Sequence, residues 1–268
     1  MSVECSRLFF ILASFCFSLN LGANPIIIAH RGASNLAPEN TVESAILAWQ
    51  VSSDAIEIDI RVTKDNQIVA YHDDNTERIG GRKGQVNRQT LAELQDLDVG
   101  SFKGKEYRGA KIPTLEQVLH TVPANKLILL ELKSGPEIIE LLRPILGTKH
   151  TFQIGLIGFD YHTMSQAKDA FPELDCFWIV HINENINYQN WPSLIDQTID
   201  RAVSANLDGL ILKANAVVSH EFVSKSKKAN LEFFVYTINS GSKAKRHTQM
   251  GVDGIITDRP RYIRDSFN

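Results

Sequence analysis

The sequence predicts a parallel (β/α)8 barrel of the TIM type, on three observations. Eight short apolar runs recur along the chain, at residues 26–29, 55–60, 127–132, 152–157, 176–181, 209–212, 232–237 and 254–257. They are rich in Ile, Val and Phe and have the length of strands buried on both faces of a sheet. Amphipathic stretches separate several of them, and eight such alternations favour a closed ring over an open doubly wound sheet. The length, 268 residues, fits one barrel of about 250 residues with no second domain. No Gly-rich dinucleotide or phosphate loop follows any of the strands.

The segment before the first strand is of another kind. Arg7 precedes an apolar run at 8–19, and Asn20-Leu21-Gly22-Ala23 follows it. A weakly positive start, a short apolar stretch and a small-residue exit read as a secretory signal peptide, residues 1–23. The mature barrel domain is then 24–268, exported to the periplasm or the extracellular space. The run is shorter than the roughly 20 apolar residues of a spanning helix. A retained anchor is the alternative, and no stable membrane insertion is expected after cleavage. Cys5 and Cys16 leave with the signal, so Cys176 has no internal disulfide partner. A cysteine zinc site is excluded as well. Cys176 lies in Cys176-Phe177-Trp178-Ile179-Val180 and reads as a core residue.

The helices follow in order. Residues 41–51 open with Thr41 and place Val42, Ala45, Ile46 and Trp49 on one face. Thr114-Leu115-Glu116-Gln117 is a capping box that starts a helix reaching to about residue 121. Residues 160–170 and 219–229 are similar. One connection, between the second and third barrel strands, is too long for a simple crossover. Residues 67–72 form a hairpin partner behind the turn Asp65-Asn66, and a polar, glycine-rich stretch follows over 76–110. It holds one short helix at 90–97, again with a capping box in Thr90 and Glu93. Long loops in compact domains are usually functional. This one leaves from the face where barrel active sites lie, so it reads as an inserted cap, about 74–112, over the mouth.

Composition narrows the partners. At 43% hydrophobic and 22% charged residues the chain can bury a core. A net charge of −3 gives no electrostatic reason to expect nucleic acid.

The chemistry sits at strand ends. In Ile56-Glu57-Ile58-Asp59-Ile60 the three Ile share one side and Glu57 and Asp59 the other. The Ile side must pack under helices, so both carboxylates enter the barrel near its carboxyl end. In the third barrel strand Glu131 and Lys133 likewise share a side, and His30 ends the first. A lone strand-end carboxylate is usually a loop cap. Three buried together repel and cannot all ionise without a cation. Oxygen ligands select a hard ion, Mg²⁺, Ca²⁺ or Mn²⁺, over zinc. His30 and His72 lie beside this cluster, and His is the usual proton carrier near neutral pH. For His120, His150, His181, His220 and His247 a structural hydrogen bond is the expected role.

These pieces together resemble the glycerophosphodiester phosphodiesterase family. The resemblance is carried by His30-Arg31-Gly32-Ala33-Ser34, Pro38-Glu39-Asn40-Thr41, Glu57-Ile58-Asp59, His72-Asp73, Ile112-Pro113-Thr114-Leu115, Glu131-Leu132-Lys133, Tyr236-Thr237-Ile238-Asn239 and Thr257-Asp258-Arg259-Pro260. They occur in family order over the whole mature chain. The resemblance implies a (β/α)8 barrel with Glu57, Asp59 and Glu131 as ligands of one divalent cation, Ca²⁺ or Mg²⁺. It implies His30 and His72 as the acid–base pair, Arg31 and Lys133 on the phosphate, and Tyr236 at the substrate. The implied reaction converts a small glycerophosphodiester into glycerol 3-phosphate and an alcohol. Tyr236 stands where a Trp is common, and Gly158-Phe159-Asp160 lacks a frequent Ser; both bear on head-group preference. A phospholipase C- or D-like enzyme acting on intact lipid head groups is the alternative within the fold, and a catalytically dead binding barrel is the alternative outside enzymes. Intact His30, His72 and carboxylates argue against the latter. The sequence carries no information on oligomeric state.

Overall fold

The computed structural model of the chain describes residues 24–147, 152–182 and 188–268. The expected signal peptide, residues 1–23, and His150 lie outside the described residues. The described elements run β1 (Ile26–His30), α1 (Val42–Gln50), β2 (Ala55–Val62), β3 (Ile68–Ala70), α2 (Glu77–Gly80), α3 (Leu91–Gln95), α4 (Leu115–Leu119), β4 (Leu127–Leu132) and α5 (Glu137–Leu146). They continue with β5 (Gln153–Gly158), α6 (Tyr161–Ala170), β6 (Asp175–Val180), α7 (Trp191–Ser204), β7 (Gly209–Lys213), α8 (His220–Lys228), β8 (Glu232–Tyr236), α9 (Gly241–Gln249), β9 (Gly254–Thr257) and α10 (Pro260–Asp265).

Eight of the strands form a closed parallel ring. Pairing runs β1-β9-β8-β7-β6-β5-β4-β2, and β1 also pairs with β2. They correspond to the eight apolar runs of the sequence. The extra strand, β3, folds back antiparallel on β2 with Ile60 opposite Ala70. Asn66, at φ 59°, supplies the left-handed residue that the tight turn between them requires.

Strand alternation sorts the side chains into two cores. Ile56, Ile58, Ile60, Ile128, Leu130 and Leu132 join the layer between ring and helices. Inside the ring Ile28, Leu129, Ile157, Phe177, Ile179, Ile211, Phe234 and Ile256 form a plug, with Phe177 and Phe234 stacked at 4.8 Å. Gly209 makes room for it, because a Cβ there would lie 2.5 Å from Phe177. The plug fills the lower barrel and leaves the carboxyl end of the inner face to polar residues.

Five of the described helices, α1, α3, α4, α6 and α8, start at side-chain caps. Thr41, Thr90, Thr114, Asp160 and Ser219 each accept a hydrogen bond from a backbone N–H in the first turn. Two expectations change. In α1 the buried face is Ser44, Ala45 and Ala48, while Ile46 is exposed. The loop after β1 crosses this helix closely: Ala33 N donates to Ser44 O at 2.9 Å, and Ser44 Oγ donates to Arg31 O at 3.0 Å. Only small side chains fit beneath it. Helix α4 ends at Leu119, and two tighter turns follow, Thr121 N to Val118 O and Val122 N to Leu119 O, before Pro123.

The stretch from β3 to α4 has its own small core of Val69, Tyr71, Ile79, Val86, Leu94, Leu97, Val99 and Ile112. It is tied to the loop after β1 by Lys103 Nζ on Ser34 O, at 2.5 Å, and by Tyr107 OH on Leu36 O, at 3.0 Å.

The opposite end of the barrel carries a repeated clamp. Asp54, Asp208 and Asp253 each immediately precede a strand and accept the backbone N–H of the second residue of the neighbouring strand. The donors are Ile27 (2.8 Å), Cys176 (2.7 Å) and Phe233 (3.0 Å). Arg264, Lys168 and Lys227 respectively pair with the three carboxylates. Charge-assisted bonds of this kind contribute about 1.5–3 kcal/mol each. Glu232 shares this end. Burial, then the nearby carboxylates of Asp253, Asp175 and Asp208, push it up to about 7. At about pH 4 and below, Glu232 is largely neutral in both folded and unfolded chains. As pH rises from there through about 7 the unfolded chain ionises first, and stability is lost. Glu232→Gln is therefore expected to raise the melting temperature at pH 8 by roughly 5–10 °C and to leave it unchanged at pH 4. Thermal melts at the two pH values check this, and equal shifts at both would contradict it.

Candidate active site

Glu57 and Asp59 project from β2 and Glu131 from β4 into the carboxyl end of the barrel. Asp59 stands directly opposite Glu131 in the strand pairing. All three are buried, and one oxygen from each lies within 4.8 Å of the others. Glu57 Oε1 has no partner, and Asp59 Oδ1 and Glu131 Oε1 meet only the ammonium of Lys133, at 3.1 and 2.5 Å. Unsatisfied carboxylate oxygens are costly in a low-dielectric interior. Burial and the neighbouring Asp59 push Glu57 and Glu131 upward. Asp59 is held low despite its burial, because Lys133 and Arg31 outweigh it. Three carboxylates in one small space, all hard donors, fit a divalent cation, and this triad can hold one.

Two cations flank the triad. Lys133 Nζ lies 3.1 Å from Asp59 and 2.5 Å from Glu131. Arg31 Nε lies 3.3 Å from Asp59, and its NH1 donates to Glu39 at 2.8 Å. Arg31 has φ 57° and Gly32 φ 75°. A Cβ on Gly32 would meet Ser44 Oγ at 2.5 Å, so this turn needs glycine. The strained turn aims two successive amides at one residue: Arg31 N donates to Glu57 Oε2 at 2.9 Å and Gly32 N to Glu57 O at 3.2 Å. Ionised together, the three carboxylates outnumber the two fixed cations, and that net negative charge would repel an anionic substrate. A divalent cation reverses that balance.

Each histidine is backed by a carboxylate. His30 Nδ1 is 2.6 Å from Asp258 Oδ1, and its Nε2 is 3.9 Å from Glu57. His72 Nδ1 is 2.7 Å from Asp73 Oδ1. Burial disfavours the charged form of both rings. In His30 the bond to Asp258 and the charge of Glu57 outweigh it and raise the pKa; in His72 burial wins and lowers it. The second half of the site is Tyr236, at the end of β8. Its ring stands edge-on to Phe159, with centroids 6.3 Å apart, and Lys133 Nζ sits 5.5 Å from the Phe159 ring.

All eight residues singled out from the sequence are thus found at this mouth. Several supporting residues were quoted in motifs without a role. Asn40 donates to Asp59 Oδ2 at 2.7 Å and accepts from Asp59 N at 3.0 Å. Asp258 is held by Ser34 and Asn239 as well as His30. Arg61 grips the carbonyl of His72 through Nε and NH2, at 3.0 and 2.7 Å. It continues the inward series Glu57, Asp59, Arg61, so the period of two already pointed to it. Phe159 is held by the bond from Trp178 Nε1 to its carbonyl, at 3.0 Å, which no local pattern announces. Outside the site, His120 and His247 pair with the carbonyls of Glu116 and Lys243.

Fixed cations, a carboxylate triad that can hold a metal ion and two carboxylate-backed histidines in one barrel mouth suit an enzyme that works on phosphate esters. The glycerophosphoryl diester phosphodiesterase family profile matches residues 30–262, and the chain belongs to that family, as an enzyme of the glycerophosphodiester phosphodiesterase class. YhdW of Bacillus subtilis is 35% identical over 242 residues, covering 88% of this chain and 96% of YhdW. A glycerophosphodiester phosphodiesterase of Caldanaerobacter subterraneus is 29% identical over 252 residues, with 89% and 96% covered. The solved structure of an Oleispira antarctica phosphodiesterase in complex with the product sn-glycerol-3-phosphate superposes with a TM-score of 0.80. It is 29% identical, over 91% of this chain and 97% of that one. No helix among the described residues is long and apolar enough to cross a membrane.

Proposed function

We propose that this enzyme hydrolyses small glycerophosphodiesters to sn-glycerol 3-phosphate and a free alcohol, using one Ca²⁺ or Mg²⁺ ion held by Glu57, Asp59 and Glu131. The observation that carries the reading is the cluster of three buried carboxylates beside Arg31 and Lys133. The product held by the Oleispira relative supports the substrate class. When bound, the cation supplies positive charge to the phosphoryl oxygens. Arg31 and Lys133 bind those oxygens and stabilise the charge that grows on them in the transition state. With Nδ1 of each ring turned to a carboxylate, Nε2 of His30 and of His72 is the nitrogen left for the substrate. One takes a proton from the nucleophile, which is water or the glycerol 2-hydroxyl, the latter giving a cyclic phosphate first. The other protonates the leaving alkoxide. Tyr236 packs against the departing alcohol. The mature enzyme acts outside the cytoplasm, after loss of residues 1–23; exported protein whose N-terminal sequence starts at Met1 would refute that part.

The test is product analysis. Glycerophosphocholine and glycerophosphoethanolamine should both yield sn-glycerol 3-phosphate, and vesicles of intact phosphatidylcholine or phosphatidylinositol should yield no water-soluble phosphate. Faster turnover of the vesicles than of the soluble diesters would replace this reading with a phospholipase.

A further inference from the structure

We propose that Arg78, on the inserted stretch, is a positioning residue for this reaction, one guanidinium that orients both His72 and Arg31 through two shared carboxylates. The inference rests on the roles proposed above for His72 and Arg31. Arg78 Nε donates to Asp73 Oδ2 at 2.6 Å, and Asp73 Oδ1 is the atom that holds His72 Nδ1 at 2.7 Å. Its other two nitrogens form a fork on Glu39, NH1 to Oε2 at 3.0 Å and NH2 to Oε1 at 2.7 Å. Glu39 Oε1 also accepts from Arg31 NH1 at 2.8 Å. The chain of contacts His72–Asp73–Arg78–Glu39–Arg31 therefore joins the segment after β3 to the loop after β1. The joint is a rigid plane, which a lysine cannot reproduce.

Two effects of this joint separate by magnitude. Arg78 is 47% exposed, and partly exposed ion pairs contribute little to stability, about 0–1 kcal/mol. Its loss should barely change the melting temperature. Placement is another matter, since a shift of about 1 Å in a reacting group can cost on the order of 10²-fold in rate. Arg78 should therefore matter for turnover well beyond its worth to the fold.

The experiment compares full-length Arg78→Ala, Arg78→Lys, His72→Ala and the Asp73→Asn/Glu39→Gln pair, on glycerophosphocholine, with melts of each. Arg78→Ala is expected to lower kcat by about 10- to 100-fold while melting within about 2 °C of the parent. Arg78→Lys keeps the charge without the fork and should recover less than half of that loss on a logarithmic scale. In the Asp73→Asn/Glu39→Gln background, Arg78→Ala should cost less than about twofold more, because the carboxylates that its fork grips are already gone. Wild-type turnover in Arg78→Ala, full rescue by Lys, or an undiminished loss in the double background overturns the proposal. If His72→Ala is slow and Arg78→Ala is not, only this inference fails; if His72→Ala turns over normally, the acid–base reading itself fails.

Discussion

His30→Ala and His72→Ala are each expected to lower kcat by about 10²- to 10⁴-fold, the usual worth of one general acid or base. Neither change should unfold the protein, because each ring lies at the mouth and is only partly buried, outside both barrel cores. The pair then separates on the leaving group. An ester of p-nitrophenol releases a stable anion that needs no proton, so it should rescue the variant lacking the acid and leave the variant lacking the base slow. His30 is raised by Asp258 and Glu57 while His72 is lowered by burial, a separation of the kind that lets two like groups divide acid and base work. A cation on Glu57 would cancel part of what raises His30, so the leaving-group test on the metal-loaded enzyme is the decisive one. Near-parental rates for both variants on glycerophosphocholine would remove the two histidines from the mechanism.

Removing the proposed metal should be comparably damaging. Charge stabilisation worth several kcal/mol, at 1.36 kcal/mol per factor of ten, sets the expected loss on exhaustive chelation at about 10³-fold or more. Ca²⁺ or Mg²⁺ should restore the rate, with Ca²⁺ favoured for an exported enzyme. A second readout is independent of turnover. Ion at about 100 times its Kd should stabilise the fold by about 2.7 kcal/mol, a rise in melting temperature of roughly 5–10 °C. Asp59→Asn, which removes the one triad charge that lies against both Lys133 and Arg31, should abolish that rise. Full activity after chelation, or no thermal response to either ion, would refute the metal site.

Much of this was legible in the sequence because it obeys simple periods. Alternation in β2 and β4 separates Ile and Leu from Glu57, Asp59, Glu131 and Lys133, and that alone sends the polar set into the barrel. Thr90 and Thr114 cap helices as their spacing to Glu93 and Gln117 requires. What escaped depends on groups distant in the chain. Asp258 reaches His30 across 228 positions, and Arg78 reaches Glu39 across 39. Neither distance has a local signature. The buried face of α1 was misread for a related reason: the contact that selects Ser44, Ala45 and Ala48 comes from the loop after β1, a feature that helical periodicity does not contain.

The three strands that lead to His30, the carboxylate triad and Lys133 are neighbours, since β1 pairs with β2 and β2 with β4. Phe159 and Tyr236 come instead from the ends of β5 and β8, beyond that arc. On the roles proposed above, bond breaking and substrate choice fall to different sectors of one ring. Mutation at Tyr236 can explore the second sector while the carboxylates of the first keep their strands. A lineage with this layout can change its diet, one leaving alcohol for another, by drift at a few rim positions while the machinery of cleavage is inherited intact.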